Sequence, residues 1–298
     1  MYTQSTMATN SDFQFSHDGQ FQVSQEMKEA FKDNGFIFLR NLLSQEEVQK
    51  LKGALESEDG VMKHVYGRDD GAGRKTKSVL WNQPGSDITG VASRTEKIAG
   101  TMEQLLGGEV YHYHSKVIMK DPHTGGAHVW HQDYGYWYLN GCLFPDMGTV
   151  WMAVDKATQD NGCLKVVPGS HKLGRIEHGH VGDQAGADLE RVELATKQLG
   201  LVHCEMEPGD ALFFHCNVLH RSDQNNSPNR RWGFLCCYNR ASNNPVYEHH
   251  HPCYSKLDKV PDSAIMECAN LTDTSGKDFF SLSQDFSIKQ IDKPEAGK

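Results

Sequence analysis

His131 and Asp133, in the stretch Trp130-His131-Gln132-Asp133, set two metal-ligating side chains, an imidazole and a carboxylate, two positions apart. On an extended strand, residues i and i+2 point to one side, so an imidazole and a carboxylate would stand together there while Gln132 faces away. That is half of a metal site. Alone it is weak, because 16 His and 39 Asp plus Glu in 298 residues give roughly two His-x-acid pairs by chance. The chain has two, the other being His203 and Glu205. The second anchor is His220, 89 residues beyond His131, with Arg231 a further 11 along and the turn-forming stretch 223–229 between them. A hairpin would set His220 and Arg231 side by side. Two imidazoles and one carboxylate on one face of a metal leave the opposite positions open, as in non-haem Fe(II) sites that bind a co-substrate and O2 together. A buried arginine nearby offers a planar fork for a distal carboxylate. The same three ligands also suit a zinc hydrolase, which has no need of such a clamp.

Positioning these residues falls to a β-rich region. From residue 109 the chain becomes short apolar or alternating runs separated by turn clusters, which predicts strands over 110–120, 127–133, 148–154, 162–167, 200–205, 210–214 and 231–238. Many short strands with Gly and Pro turns and no alternating helices predict a mainly β fold with an α shell, its core a jelly-roll or cupin-like barrel. The shell is written earlier. Met27, Ala30 and Phe31 follow Ser24 at helical spacing and end at Asn34-Gly35; a strand over 36–39 follows; Ser44-Gln45-Glu46-Glu47 has the form of a capping box ahead of Val48, Leu51 and Leu55. Residues 58–91 read as loops with short strands, and 93–106 as a further helix. The polar residues 1–20 predict a flexible N-terminal tail, 21–245 a single domain, and 246–298 a polar extension packing on or trailing from it.

Net charge is −9, with no block of Lys and Arg that would track a phosphate backbone, so no nucleic-acid partner is expected. There is no 18-residue apolar run, no apolar core of a signal peptide and no SKL ending, so no membrane association is expected and a cytoplasmic protein is. The eight Cys show no CxxC spacing, which argues against a zinc ribbon or a disulfide scaffold. A monomer or weak homo-oligomer is expected.

Taken in order, Trp130-His131-Gln132-Asp133, Trp151-Met152-Ala153-Val154, Asn161-Gly162-Cys163-Leu164, Pro168-Gly169-Ser170-His171, Glu207-Pro208-Gly209-Asp210 and His220-Arg221-Ser222 with Arg231 resemble the phytanoyl-CoA dioxygenase family of Fe(II)- and 2-oxoglutarate-dependent oxygenases. The resemblance covers residues from about 25 to 240 and implies a double-stranded β-helix. It implies His131, Asp133 and His220 as catalytic metal ligands and Arg231 as the partner of the far carboxylate of 2-oxoglutarate. Ser222 would assist that carboxylate, Trp151 and Gln132 would line the co-substrate site, and Lys77 matches a family lysine on an early strand. Arg230 rivals Arg231, but neighbours on a strand face opposite ways. Iron halogenases of the wider family have Ala or Gly where this chain has Asp133, so the implied reaction is hydroxylation of a small-molecule or lipid-derived substrate, consuming O2 and releasing succinate and CO2. The alternative is a non-catalytic cupin-like binding or sensing module.

Other features carry two readings. Tyr134, Tyr136, Trp137 and Tyr138 either wall the substrate pocket or pack the core. His112, His114 and His128 read as core or supporting residues, His249-His250-His251 as a solvated loop, and His203 with Glu205 as a structural or surface pair. A CoA thioester needs a basic cluster at the mouth, and no such cluster is evident.

Overall fold

The computed structural model describes residues 9–19 and 21–281. In sequence order its strands are β1 (Asp12–Gln14), β2 (Phe36–Arg40), β3 (Tyr66–Asp69), β4 (Lys75–Trp81), β5 (Val110–Lys120), β6 (His128–His131), β7 (Met147–Ala153), β8 (Leu164–Val166), β9 (His178–Val181), β10 (Gln184–Ala187), β11 (Val202–Cys204), β12 (Ala211–His215), β13 (His220–Ser222) and β14 (Arg231–Arg240). The helices are α1 (Gln25–Asn34), α2 (Gln45–Glu56), α3 (Ile88–Ala92), α4 (Thr101–Leu106), the single turn α5 (Tyr134–Trp137), α6 (Leu189–Leu199) and α7 (Ala264–Glu267).

Three layers result. An eight-stranded sheet runs β1-β2-β12-β7-β14-β5-β4-β3, and a four-stranded sheet runs β11-β8-β13-β6. The two are joined by an apolar layer that includes Phe38, Ile118, Trp151 and Leu235 from the large sheet and Leu164, Val166 and Cys204 from the small one. The other face of the large sheet buries Ile37, Val79, Val117, Phe213 and Phe234 against Met27, Phe31, Leu51, Leu55 and Met102 of α1, α2 and α4. Covered on both sides, β7 and the first nine residues of β14 are buried throughout. That explains why they read as continuous apolar runs rather than alternating ones.

The shell helices start where the sequence marks them. Ser24 Oγ accepts from Met27 N, and Gly35 closes α1 at φ 81°, a left-handed position that a side chain would strain. Ser44 and Glu47 form the reciprocal capping box of α2. Glu47 does more than cap, since its carboxylate also takes Lys97 Nζ at 2.6 Å in a buried pair.

Several expectations differ from the structure. Part of the 1–20 tail is ordered: β1 lies parallel to β2, and Asp12 holds Arg40 through Nε and Nη2 at 2.9 and 2.7 Å. A three-residue edge strand takes its order from its neighbour's backbone, which composition does not register. Residues 1–8 and 20 lie outside the described residues. The helix expected over 93–106 is broken, beginning regularly only at Thr101, and β6 stops at His131, two residues short of its expected end. Of the 246–298 extension, the part to 281 packs on the large sheet and the shell; 282–298 lie outside the described residues. No helix among the described residues is long and apolar enough to cross a membrane.

Candidate active site

His131 closes β6 and His220 opens β13, and the antiparallel register places them directly opposite. Their ring centroids are 4.0 Å apart. Asp133 follows β6 in helical conformation (φ −57°, ψ −40°) at the start of α5, so its carboxylate is not carried by strand alternation. It turns back to the two rings because Thr149 Oγ1 donates to Oδ2 and the Tyr136 hydroxyl donates to Oδ1, both at 2.9 Å. Asp133 Oδ1 then lies 3.7 Å from His131 Nε2 and 3.9 Å from His220 Nε2. Among the described residues this is the one group of His, Cys, Asp and Glu atoms close enough to hold a metal ion, within 4.8 Å of one another.

The protonation pattern suits a cation. The Nδ1 of His131 sits 2.7 Å from Val129 O and that of His220 sits 2.9 Å from Val218 O. A carbonyl only accepts, so each Nδ1 carries the hydrogen and each Nε2 keeps its lone pair. Burial pushes both imidazoles below the ordinary histidine range. Burial alone would raise the Asp133 carboxyl, but Lys116 and the Thr149 hydroxyl, joined by His220 and His131 whenever these carry a second proton, outweigh it and hold it well below the usual carboxylate range. Two neutral imidazoles and an ionised carboxylate are the form in which these side chains ligate metals.

Arg231 opens β14 and points between the sheets with 1% exposure. Nη2 donates to Gly162 O at 2.9 Å, while Nε and Nη1 have no partner among the described residues. The guanidinium lies 5.4 Å from the Trp151 ring, whose Nε1 is also unpartnered. Burial brings the arginine's pKa down to about 10. A buried guanidinium with two of its three nitrogens unspent fits an incoming carboxylate. Two glycines make room. A methyl on Gly233 would lie 2.2 Å from Trp151 Cζ2, and Gly162 turns at φ 79° where a side chain would meet Asp223 O at 2.3 Å. Arg230, by contrast, faces out to Glu56 and Asp155.

A small cavity joins these parts, lined by the triad, Arg231, Ser222 and Trp151, with Ile118, Leu164, Phe214 and Leu235 as its apolar wall. Gln132 is elsewhere. Its side chain donates to Gly174 O and Asn217 O and accepts from Ile176 N, so every polar atom is committed to pinning loops behind β6. Lys77 is also elsewhere, because β4 alternates and Ser78 and Leu80 face the site while Lys77 pairs with Asp121 on the surface at 2.6 Å. The lysine in place is Lys116 on β5, which the sequence reading missed.

A second cavity shares Lys116, Ile118 and His128 with the first and is lined by Tyr136, Trp137, His114, His250, His251 and Phe280 among others. Of the aromatic run, Tyr136 and Trp137 face it. Tyr134 packs inward with its hydroxyl donating to Cys142 O, and Tyr138 is half-exposed under Arg175. One helical turn separates the four positions into two faces. His251 is buried rather than solvated. His112 is satisfied within the core, between Asn82 O and Ser115 Oγ.

Comparison with known proteins identifies relatives of the chain. Residues 31–233 match the family model for phytanoyl-CoA dioxygenase (PhyH). The chain is 29% identical to L-proline trans-4-hydroxylase of Streptomyces griseoviridis over 252 residues, covering 79% of this chain and 94% of that one. It is 28% identical to an ectoine dioxygenase of Halomonas elongata over 250 residues, covering 77% and 73%. Its fold is that of EctD from S. alaskensis solved with bound Fe, at TM-score 0.66 and 23% identity over 83% of this chain and 90% of that one. The carbocyclase SnoK from nogalamycin biosynthesis aligns at TM-score 0.60 and 20% identity, covering 86% and 95%.

Proposed function

Because the chain belongs to the phytanoyl-CoA dioxygenase family, we propose that His131, Asp133 and His220 hold Fe(II) and that Arg231, Ser222 and Trp151 receive 2-oxoglutarate. The protein is a 2-oxoglutarate-dependent non-haem iron dioxygenase that oxidises a small molecule, releasing succinate and CO2. We read its two facing sheets as a double-stranded β-helix. The observation that carries the site assignment is the three-ligand cluster beside a buried arginine with two unspent nitrogens.

When bound, iron and 2-oxoglutarate supply the O2-driven oxidation of a C–H bond. The protein's own task is to position and to exclude. Val129 O and Val218 O fix the two imidazole tautomers, and Thr149 and Tyr136 fix the carboxylate, which aims three ligand atoms at one point and leaves the facing positions open. Arg231 supplies a fork for the far carboxylate of 2-oxoglutarate, with the Trp151 indole N–H beside it. Ile118, Leu164, Phe214 and Leu235 keep water from that end. Asp133 at the third ligand position supports hydroxylation rather than halogenation.

For the substrate we infer a compact polar molecule of amino-acid size, as the names of the proline and ectoine relatives suggest, rather than a CoA thioester. The second cavity supports this. Lys116 in its wall offers a cation to a carboxylate, and Tyr136 and Trp137 offer flat apolar faces. The test is 2-oxoglutarate consumption, followed as succinate formed, with and without Fe(II). Wild type should require Fe(II), and His131→Ala or Asp133→Ala should abolish turnover. Normal turnover in either variant would refute the ligand assignment, and tight 2-oxoglutarate binding with no succinate formed would favour a binding module.

A further inference from the structure

The second cavity is finished by residues beyond 233, where the family match ends. His250, His251 and Phe280 line it together with Lys116, Tyr136 and Trp137. Resting on the reading of that cavity as the substrate chamber, we propose that the segment 249–281 is a working wall of the chamber, latched by Asn82, and that it sets His251 beside His114 as the groups that hydrogen-bond the substrate.

Asn82 is a buried hub. Its N donates to Asp278 O at 3.0 Å, and its Nδ2 donates to His250 O at 2.7 Å and to Asp278 Oδ2 at 2.9 Å. Both side-chain partners are oxygens that accept, which fixes the amide orientation and leaves Oδ1 as acceptor for His251 Nδ1 at 2.8 Å. His251 therefore carries its hydrogen on Nδ1 and keeps Nε2 for another partner. One side chain thus holds both stretches of the segment and sets an imidazole tautomer in the cavity wall. Beyond Asn82, the buried Lys277 Nζ bonds Asp87 at 2.8 Å and Thr89 Oγ1 at 2.9 Å. Phe279 stacks on His64 at 3.6 Å, and Phe280 N donates to Leu80 O at 3.0 Å. The segment runs along the end of β4 as if it were part of the sheet.

His114 supplies the independent observation. It is 2% exposed, lines the cavity, and neither ring nitrogen has a partner among the described residues. It stacks on His251 with centroids 4.8 Å apart and meets Trp137 edge-on at 5.5 Å. Buried imidazole nitrogens without partners are rare and costly; His114 has one N–H to donate and one nitrogen to accept, so a substrate carbonyl or carboxylate together with a substrate N–H or O–H, reaching the edges of the stacked His114 and His251 rings, would satisfy them. Asn82 is thus a positioning residue, acting through His251.

The test uses full-length wild type, Asn82→Ala and Phe280→Ala, each loaded anaerobically with Fe(II) and 2-oxoglutarate. The visible charge-transfer band of the Fe(II)–2-oxoglutarate complex reads the iron site. Diethyl pyrocarbonate acylation, resolved by peptide mass with exposed His123 as internal standard, reads the wall. Admitting O2 without added substrate then reads what the chamber faces: one O2, one 2-oxoglutarate and one C–H bond of a wall residue give one C–OH, succinate and CO2, so an added oxygen marks an exposed wall. We expect His251 acylation to rise about fivefold or more in both variants while the band persists. Wild type should add oxygen to peptides containing 249–251 or 277–281, and Asn82→Ala should lose that labelling. Acylation within about twofold of wild type in both variants, or wild-type oxidation confined to other peptides, overturns the proposal. Loss of the band in Asn82→Ala overturns it too, making the segment a support of the iron site. Should Asn82→Ala fail to fold, Phe280→Ala decides the acylation arm alone. A wild type that forms no band refutes the iron reading, while acylation still decides the latch.

Discussion

Replacing Arg231 by Met should separate folding from co-substrate binding. The guanidinium is 1% exposed and has one hydrogen bond, from Nη2 to Gly162 O. Burial lowers its pKa from 12.5 to about 10, and at 1.36 kcal/mol per unit the folded protein bears a cost of about 3 kcal/mol for keeping the charge at neutral pH. Methionine has a similar reach and no charge, so without ligand Arg231→Met should be as stable as wild type or up to about 3 kcal/mol more stable. Ligand binding moves the other way. Breaking a buried guanidinium–carboxylate pair costs about 3–5 kcal/mol, or roughly two to four decades in Kd. The assay is urea unfolding of the Fe(II)-loaded protein under anaerobic conditions with and without 2-oxoglutarate. At a hundredfold excess over its Kd, 2-oxoglutarate should stabilise wild type by about 2.7 kcal/mol and the variant not measurably at the same concentration. A variant less stable than wild type by about 2 kcal/mol without ligand, yet binding 2-oxoglutarate within about threefold of wild type, would refute both the buried-charge argument and the clamp.

Gly233→Ala places a methyl 2.2 Å from Trp151 Cζ2, so it should cost about 1–3 kcal/mol and weaken 2-oxoglutarate binding at least about tenfold; Gly179→Ala, in open space, is the control and should change neither in the same titration. Lys77→Ala should leave the KM for 2-oxoglutarate within about twofold and stability within about 1 kcal/mol, because its pair with Asp121 is at the surface; a tenfold rise in KM would restore Lys77 to the site. Burial also lowers His112 to about 3, His178 to about 4 and His215 to about 3. As pH falls below about 6.5 the unfolded chain takes up protons that the folded one refuses, so these three histidines alone should lower stability by up to about 4 kcal/mol per pH unit down to about pH 4, with buried His131 and His220 adding in the same direction. Urea midpoints at several pH values check this, and a flat profile over that window would refute it.

How much of this was legible in the sequence depends on what sets each position. His131 and His220 are brought together by strand register, which turn spacing and apolar runs encode. Arg231 against Arg230 follows from strand alternation at one end of β14. Lys116 did not announce itself because β5 is covered on both faces and ten of its eleven residues are buried. Alternation then carries no contrast, and nothing local says which side faces the cavity. The segment 249–281 was illegible for another reason. Its apolar anchors, among them Leu257, Ile265, Phe279 and Phe280, are spread at irregular spacing with no period to read, and the rest of its hold is polar: Asn82, the Lys277–Asp87 pair and backbone bonds to the end of β4.

Asp133 shows how a pattern and its cause can part. The i, i+2 spacing places a carboxylate beside His131 only if both lie on a strand, and β6 ends at His131. The carboxylate reaches the rings through a helical backbone turn and through two hydroxyl donors, Thr149 from β7 and Tyr136 from the turn that Asp133 begins. Gln132 gives the converse. Alternation points it away from His131, and its three hydrogen bonds to Gly174, Asn217 and Ile176 hold the very loops against which β6 is aligned. The two residues divide the work of one short stretch: Gln132 fixes where the strand end sits, and Asp133, released from the strand, takes its direction from groups that fix the ligand face from outside. Ligand geometry here is thus set by Thr149, 16 positions downstream, as much as by the HQD stretch itself, and sequence spacing alone cannot supply that part.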